Sequence, residues 1–97
     1  MSERSGAIAR RVRIEGRVQG VWYRAWTLER AQALGLRGWV RNRSDGCVEA
    51  VFAGPAHDVR TMIEACRRGP PRAVVDRLTE APVEDEGFNE FRQLPTG

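Results

Sequence analysis

Gly16-Arg17-Val18-Gln19-Gly20-Val21-Trp22-Tyr23-Arg24 joins two segments of different periodicity. Before it, Arg10 to Glu15 alternates, with Val12 and Ile14 on one face and Arg11, Arg13 and Glu15 on the other. That is the pattern of a half-buried strand. After it, Trp22 to Leu34 is rich in Ala, Leu, Glu, Arg and Gln, which favour a helix, and Gly35 suits the helix stop. A turn bracketed by Gly16 and Gly20 can aim several backbone N–H groups at one point. The helix start adds unpaired N–H groups and the positive end of the dipole. Arg24 adds a permanent charge on a planar, bidentate fork. Together these describe a compact pocket for a phosphate or a carboxylate.

The helix that follows has an irregular apolar face, since Ala25, Leu28, Ala31 and Leu34 drift around its axis. Leu36 to Arg43 reads as a second strand, and Asp45-Gly46 is a hairpin signal. Cys47 to Ala53 is the third strand, with Val48, Ala50 and Phe52 alternating against Cys47, Glu49 and Val51. Gly54-Pro55 breaks it, and Pro55 suits the start of a second helix. Val59, Met62, Ile63 and Cys66 recur at helical spacing through Arg68, and Gly69-Pro70-Pro71 ends the run. Ala73 to Thr79 reads as a fourth strand. Phe88 and Phe91 anchor the C-terminal segment, with or without a short extra strand. Residues 1–9 read as a flexible tail and residues 10–97 as one domain.

This order, βαββαβ, predicts an α+β ferredoxin-like two-layer sandwich with an antiparallel sheet and two helices on one face. Right-handed crossovers put the first and third strands side by side in the middle. The loop at residues 16–23 then opens at the carboxyl end of a central strand.

Composition excludes several chemistries. The chain has 97 residues and a net charge of +3, with 16 basic residues that are all Arg. Without Lys there is neither a Schiff base nor a P-loop lysine. Two cysteines and a single histidine, His57, fall short of a zinc site, so neither metal nor cofactor is expected. Cys47 and Cys66 read as small buried hydrophobes. No apolar run approaches the ~20 residues that span a bilayer, and Met1 to Arg11 has no apolar signal-peptide centre. A cytoplasmic protein without membrane contact is the expectation.

Two motifs carry a family resemblance. Residues 16–24, quoted above, resemble the first signature of the acylphosphatases. Gly38-Trp39-Val40-Arg41-Asn42-Arg43-Ser44-Asp45-Gly46 resembles the second. Val48-Glu49-Ala50, Gly54 and Gly69-Pro70 also fit, so the resemblance runs from about Arg11 to Phe91. It implies metal-free hydrolysis of a carboxyl–phosphate anhydride by a monomer, with a small acyl phosphate as substrate and inorganic phosphate as product. By position, Arg24 matches the arginine that grips the phosphoryl group. Asn42 matches the asparagine that orients the attacking water. The backbone N–H groups of Val18, Gln19, Gly20, Val21, Trp22 and Tyr23 match the phosphate cradle. Tyr23 stands where Phe is commoner, and Trp22 occupies a variable position.

Two readings compete. One is an acylphosphatase-like domain that binds phosphate or another ligand without turnover. The other is an RNA-recognition module, which shares the βαββαβ order but needs aromatics on the exposed face of its first and third strands. The first strand here has none, and Phe52 on the third has the parity of buried Val48. Nucleic acid is therefore not an expected partner.

Overall fold

The computed structural model describes residues 7–97. Strand β1 (Ala7–Arg17) leads to helix α1 (Tyr23–Ala33), then β2 (Arg37–Asn42), β3 (Val48–Pro55), helix α2 (Ala56–Cys66), β4 (Val74–Pro82) and β5 (Phe91–Gln93). The strands form one sheet in the order β4-β1-β3-β2-β5, so β1 and β3 are central, as the crossover rule requires.

The alternation in β1 works as read. Val12 and Ile14 are buried against the helices, together with Val48, Ala50 and Phe52 of β3 and Val40 of β2. From α2, Val59, Met62, Ile63 and Cys66 fill the same core. Val51 faces the other side of the sheet yet is buried, because its register partners Arg11 and Trp39 flank it. Long side chains shield apolar surface in this way. On that open face, half-buried Glu49 forms ion pairs with Arg11 at 3.6 Å and Arg43 at 3.3 Å.

Three expectations need correction. The first strand begins at Ala7 rather than Arg10, since Ala7, Ile8 and Ala9 pair with Pro55, Gly54 and Ala53. The rest of the expected tail lies outside the described residues. The sheet is mixed, because β5 runs parallel to β2 at its edge. Of the expected α1 face of Ala25, Leu28, Ala31 and Leu34, only Ala31 is fully buried, with Leu28 and Leu34 half-buried against the core, and the helix buries Tyr23 and Thr27 beside Ala31. Thr27 fits in the core because its hydroxyl donates to the carbonyl of Tyr23 at 2.8 Å, which satisfies the one polar group it brings.

Candidate active site

Gly16 and Gly20 serve different ends. Gly16 lies within β1, where the register with β4 shifts, and it has φ 130°. A Cβ there would sit 2.2 Å from the carbonyl oxygen of Val74. It permits close approach of β4, not of an anion. Gly20, at φ 76°, has nothing within 4 Å of a Cβ position. It turns the chain where the turn opens to solvent.

Trp22 follows with φ 68° and ψ 20°, the left-handed region that a bulky side chain rarely enters. Its carbonyl accepts the N–H of Trp26 at 2.9 Å and so closes the first turn of α1. No side chain caps that helix start, and no acidic residue lies in the first turn. The N–H groups that a cap would engage are left pointing outward. A helix start of this kind, with strain held at its N-cap, is suited to an anion.

Two anchors hold this end of α1. The buried Tyr23 hydroxyl donates to the carbonyl of Cys66 at the end of α2. Burial pushes the Tyr23 phenol well above its ordinary pKa, so it stays neutral and acts as a donor. The second anchor is Gln19. Its Nε2 donates to the carbonyls of Arg43, at 2.8 Å, and Cys47, at 2.9 Å, on the β2–β3 turn.

Arg24 projects from the first turn, where a cation opposes the helix dipole. Its Nη1 donates to the carbonyl of Leu94 at 3.0 Å. Among the described residues no carboxylate lies within ion-pair distance of it. Leu94 is itself tied to β2, through an N–H to the Val40 carbonyl at 2.8 Å. The guanidinium is thus aimed by the segment after β5 and keeps donors for an outside anion.

Asn42 ends β2. Its carbonyl accepts the N–H of Gly97 at 3.0 Å, so the C-terminal segment runs along β2 to this point. The Oδ1 of Asn42 is buried and accepts no hydrogen bond among the described residues. Leaving a buried acceptor unpaired costs about 1–3 kcal/mol, so the oxygen is suited to a donor from outside the chain.

Arg24 and Asn42 line one cleft of about 360 Å³ with Val18, Gly20, Trp22 and Tyr23. Ala25 and Gln93 complete the wall. The structure therefore brings together both side chains and four of the six expected cradle residues. Gln19 instead braces the loop through its side chain. Gln93 was not foreseen, because a three-residue strand with one buried position leaves almost no periodicity to read.

A profile of the acylphosphatase family matches residues 10–93. The chain belongs to the acylphosphatase family. An acylphosphatase of Rhizorhabdus wittichii is 53% identical over 95 residues, covering 98% of this chain and 96% of its own. One from Rhodospirillum rubrum is 58% identical over 85 residues, covering 88% and 93%. A solved acylphosphatase from Coxiella burnetii superposes with a TM-score of 0.91 at 32% identity, over 97% of this chain and all of that one. The chain is thus an enzyme of a family that acts on acyl phosphates. Among the described residues, no helix is long and apolar enough to cross a membrane.

Proposed function

We propose that the chain hydrolyses the carboxyl–phosphate anhydride of acyl phosphates at the cleft between Arg24 and Asn42. The backbone N–H groups of residues 18–23 and the Arg24 fork hold the phosphoryl oxygens. Phosphoryl transfer needs mainly positioning and charge stabilisation, and these groups are fixed before the substrate arrives. Asn42 Oδ1 accepts a hydrogen bond from the attacking water and orients it. A carboxamide cannot remove a proton at neutral pH. The proton passes instead to an oxygen of the substrate's own phosphoryl group. The water oxygen bonds to phosphorus, the bond from phosphorus to the acyl oxygen breaks, and carboxylate and inorganic phosphate leave.

One observation carries this reading: Asn42, whose buried Oδ1 has no partner among the described residues, lines the same cleft as an arginine that faces no carboxylate among them. The test is hydrolysis of a synthetic aryl acyl phosphate with inorganic phosphate as competitor. Turnover with competitive inhibition supports the reading. Tight phosphate binding without turnover would mark a ligand-binding domain instead.

The same proposal makes the protein a cytoplasmic monomer that does not bind nucleic acid. Two buried, unpaired cysteines suit a reducing compartment. The large hydrophobics exposed among the described residues are Trp22 and Val74, too few for an extensive docking patch. Phe52 lies fully buried beneath the helices, so it offers no stacking platform for a base.

A further inference from the structure

Gln93 ends β5, the edge strand beside β2. In the parallel register it pairs with Val40, two residues before Asn42. Side chains alternate along a strand, so Gln93 shares a face with Phe91, and Asn42 shares one with Val40. Phe91 and Val40 both lie in the core beneath the helices. Both carboxamides therefore belong to the helix side of the sheet, and both residues line the cleft of Arg24. The backbone around Gln93 is held on either side. Phe91 stacks on Phe52 with ring centroids 5.4 Å apart, and the Leu94 N–H donates to the Val40 carbonyl at 2.8 Å. The Gln93 side chain is exposed and makes no hydrogen bond among the described residues. A fixed backbone thus carries an unused amide donor at the wall of the site.

We infer that Gln93 Nε2 donates a hydrogen bond to the acyl carbonyl oxygen of the substrate. The inference rests on the assignment of this cleft to acyl phosphate hydrolysis. There the loop N–H groups and Arg24 serve the phosphoryl oxygens, and Asn42 serves the water. Gln93 is the remaining carboxamide on the wall. Asn42 cannot fill both roles, because an in-line displacement puts the water and the departing oxygen on opposite sides of phosphorus. The two carboxamides come from neighbouring strands, two residues out of register, so they enter the cleft from separate points. When the bond from phosphorus to the bridging oxygen breaks, its electron pair spreads over both oxygens of the departing carboxylate. The former carbonyl oxygen gains negative charge, and a hydrogen bond to it strengthens as the reaction proceeds.

The test compares the wild type with Gln93→Met, which keeps the side-chain length, removes the donor and changes an exposed position that spares the core. Three competitive inhibitors are measured against acetyl phosphate hydrolysis. Acetonylphosphonate keeps the carbonyl and carries CH2 in place of the bridging oxygen, propylphosphonate lacks only the carbonyl oxygen, and inorganic phosphate has no acyl end. Gln93→Met should raise the Ki of acetonylphosphonate about two- to tenfold, the worth of one hydrogen bond, and leave those of propylphosphonate and phosphate unchanged. It should lower kcat for acetyl phosphate by at least the same factor. An unchanged ratio of the two phosphonate constants, or an unchanged kcat, overturns the assignment. So does equal weakening of all three inhibitors, which would make Gln93 a support for Arg24. A wild type that neither hydrolyses acetyl phosphate nor binds phosphate removes the reading of the cleft itself, and this inference with it.

Discussion

Gln19 donates from its Nε2 to the carbonyl oxygen of Arg43 at 2.8 Å, across the gap between the loop after β1 and the turn after β2. The loop that supplies the cradle and the strand end that supplies Asn42 are thereby one mechanical unit. A second bond, to Cys47 at 2.9 Å, makes the brace two-pronged. Gln19→Ala should cost about 1–3 kcal/mol of stability for the two bonds. It should also lower kcat, because the cradle and Asn42 lose their fixed separation. Thermal unfolding and steady-state kinetics check both, and unchanged kcat would separate the brace from catalysis.

Asn42→Ala should lower kcat by about 100-fold or more while KM changes little, since water placement matters in the transition state. Its stability should not fall by the usual cost of a lost hydrogen bond, because Oδ1 has no protein partner to lose among the described residues. Denaturant melts beside the kinetics decide this. A large KM effect with kcat intact would instead assign Asn42 to substrate gripping.

Cys47 and Cys66 should label slowly in the native protein. Burial pushes the Cys47 thiol up to about 11 and the Cys66 thiol up to about 12, so both remain protonated at pH 8. The thiolate is the reactive form. Titration with a disulfide reagent at pH 8 should show two thiols reacting at once in denaturant and far more slowly without it. Both folded values are raised above the ordinary 9.0, so their contribution to stability is complete below about pH 9 and is lost as pH rises toward 11–12.

Asp45 carries the opposite sign. The Cys47 N–H, donated to its Oδ1 at 3.1 Å, and the Arg13 guanidinium lower its pKa from 3.8 to about 2. A depressed folded value contributes stability above about pH 4, and the contribution is lost as pH falls toward 2. Asp45→Asn should therefore flatten the acid limb of a stability–pH curve between those values. The carboxylate is exposed, so the effect should shrink in high salt.

The parts of the site that were legible in the sequence are those that neighbouring residues encode. Residues 16–24 specify a strand end, a glycine turn and a helix start within nine positions, and Arg24 follows from that. Asn42 stood beside a hairpin signal and needed the second family motif to be singled out, because asparagine near a turn has an ordinary structural role. What stayed hidden was set by distant pairing. The extension of β1 to Ala7 depends on Pro55, Gly54 and Ala53 across the sheet. The lengthening of β4 to Pro82 follows from its partner Arg10. The aim of Arg24 depends on Leu94, seventy residues away in sequence. Thr27 was passed over because its polarity conceals a core position, which is open to it only through the bond back to Tyr23.

The most direct test of the central claim is a crystal structure with inorganic phosphate bound, for the wild type and for Arg24→Gln. The wild type should hold the anion in the loop of residues 18–23, with the Arg24 guanidinium on its oxygens and the Asn42 carboxamide facing the same ion, and Arg24→Gln should lose it. An anion seated elsewhere, or one held equally well without Arg24, would contradict the account.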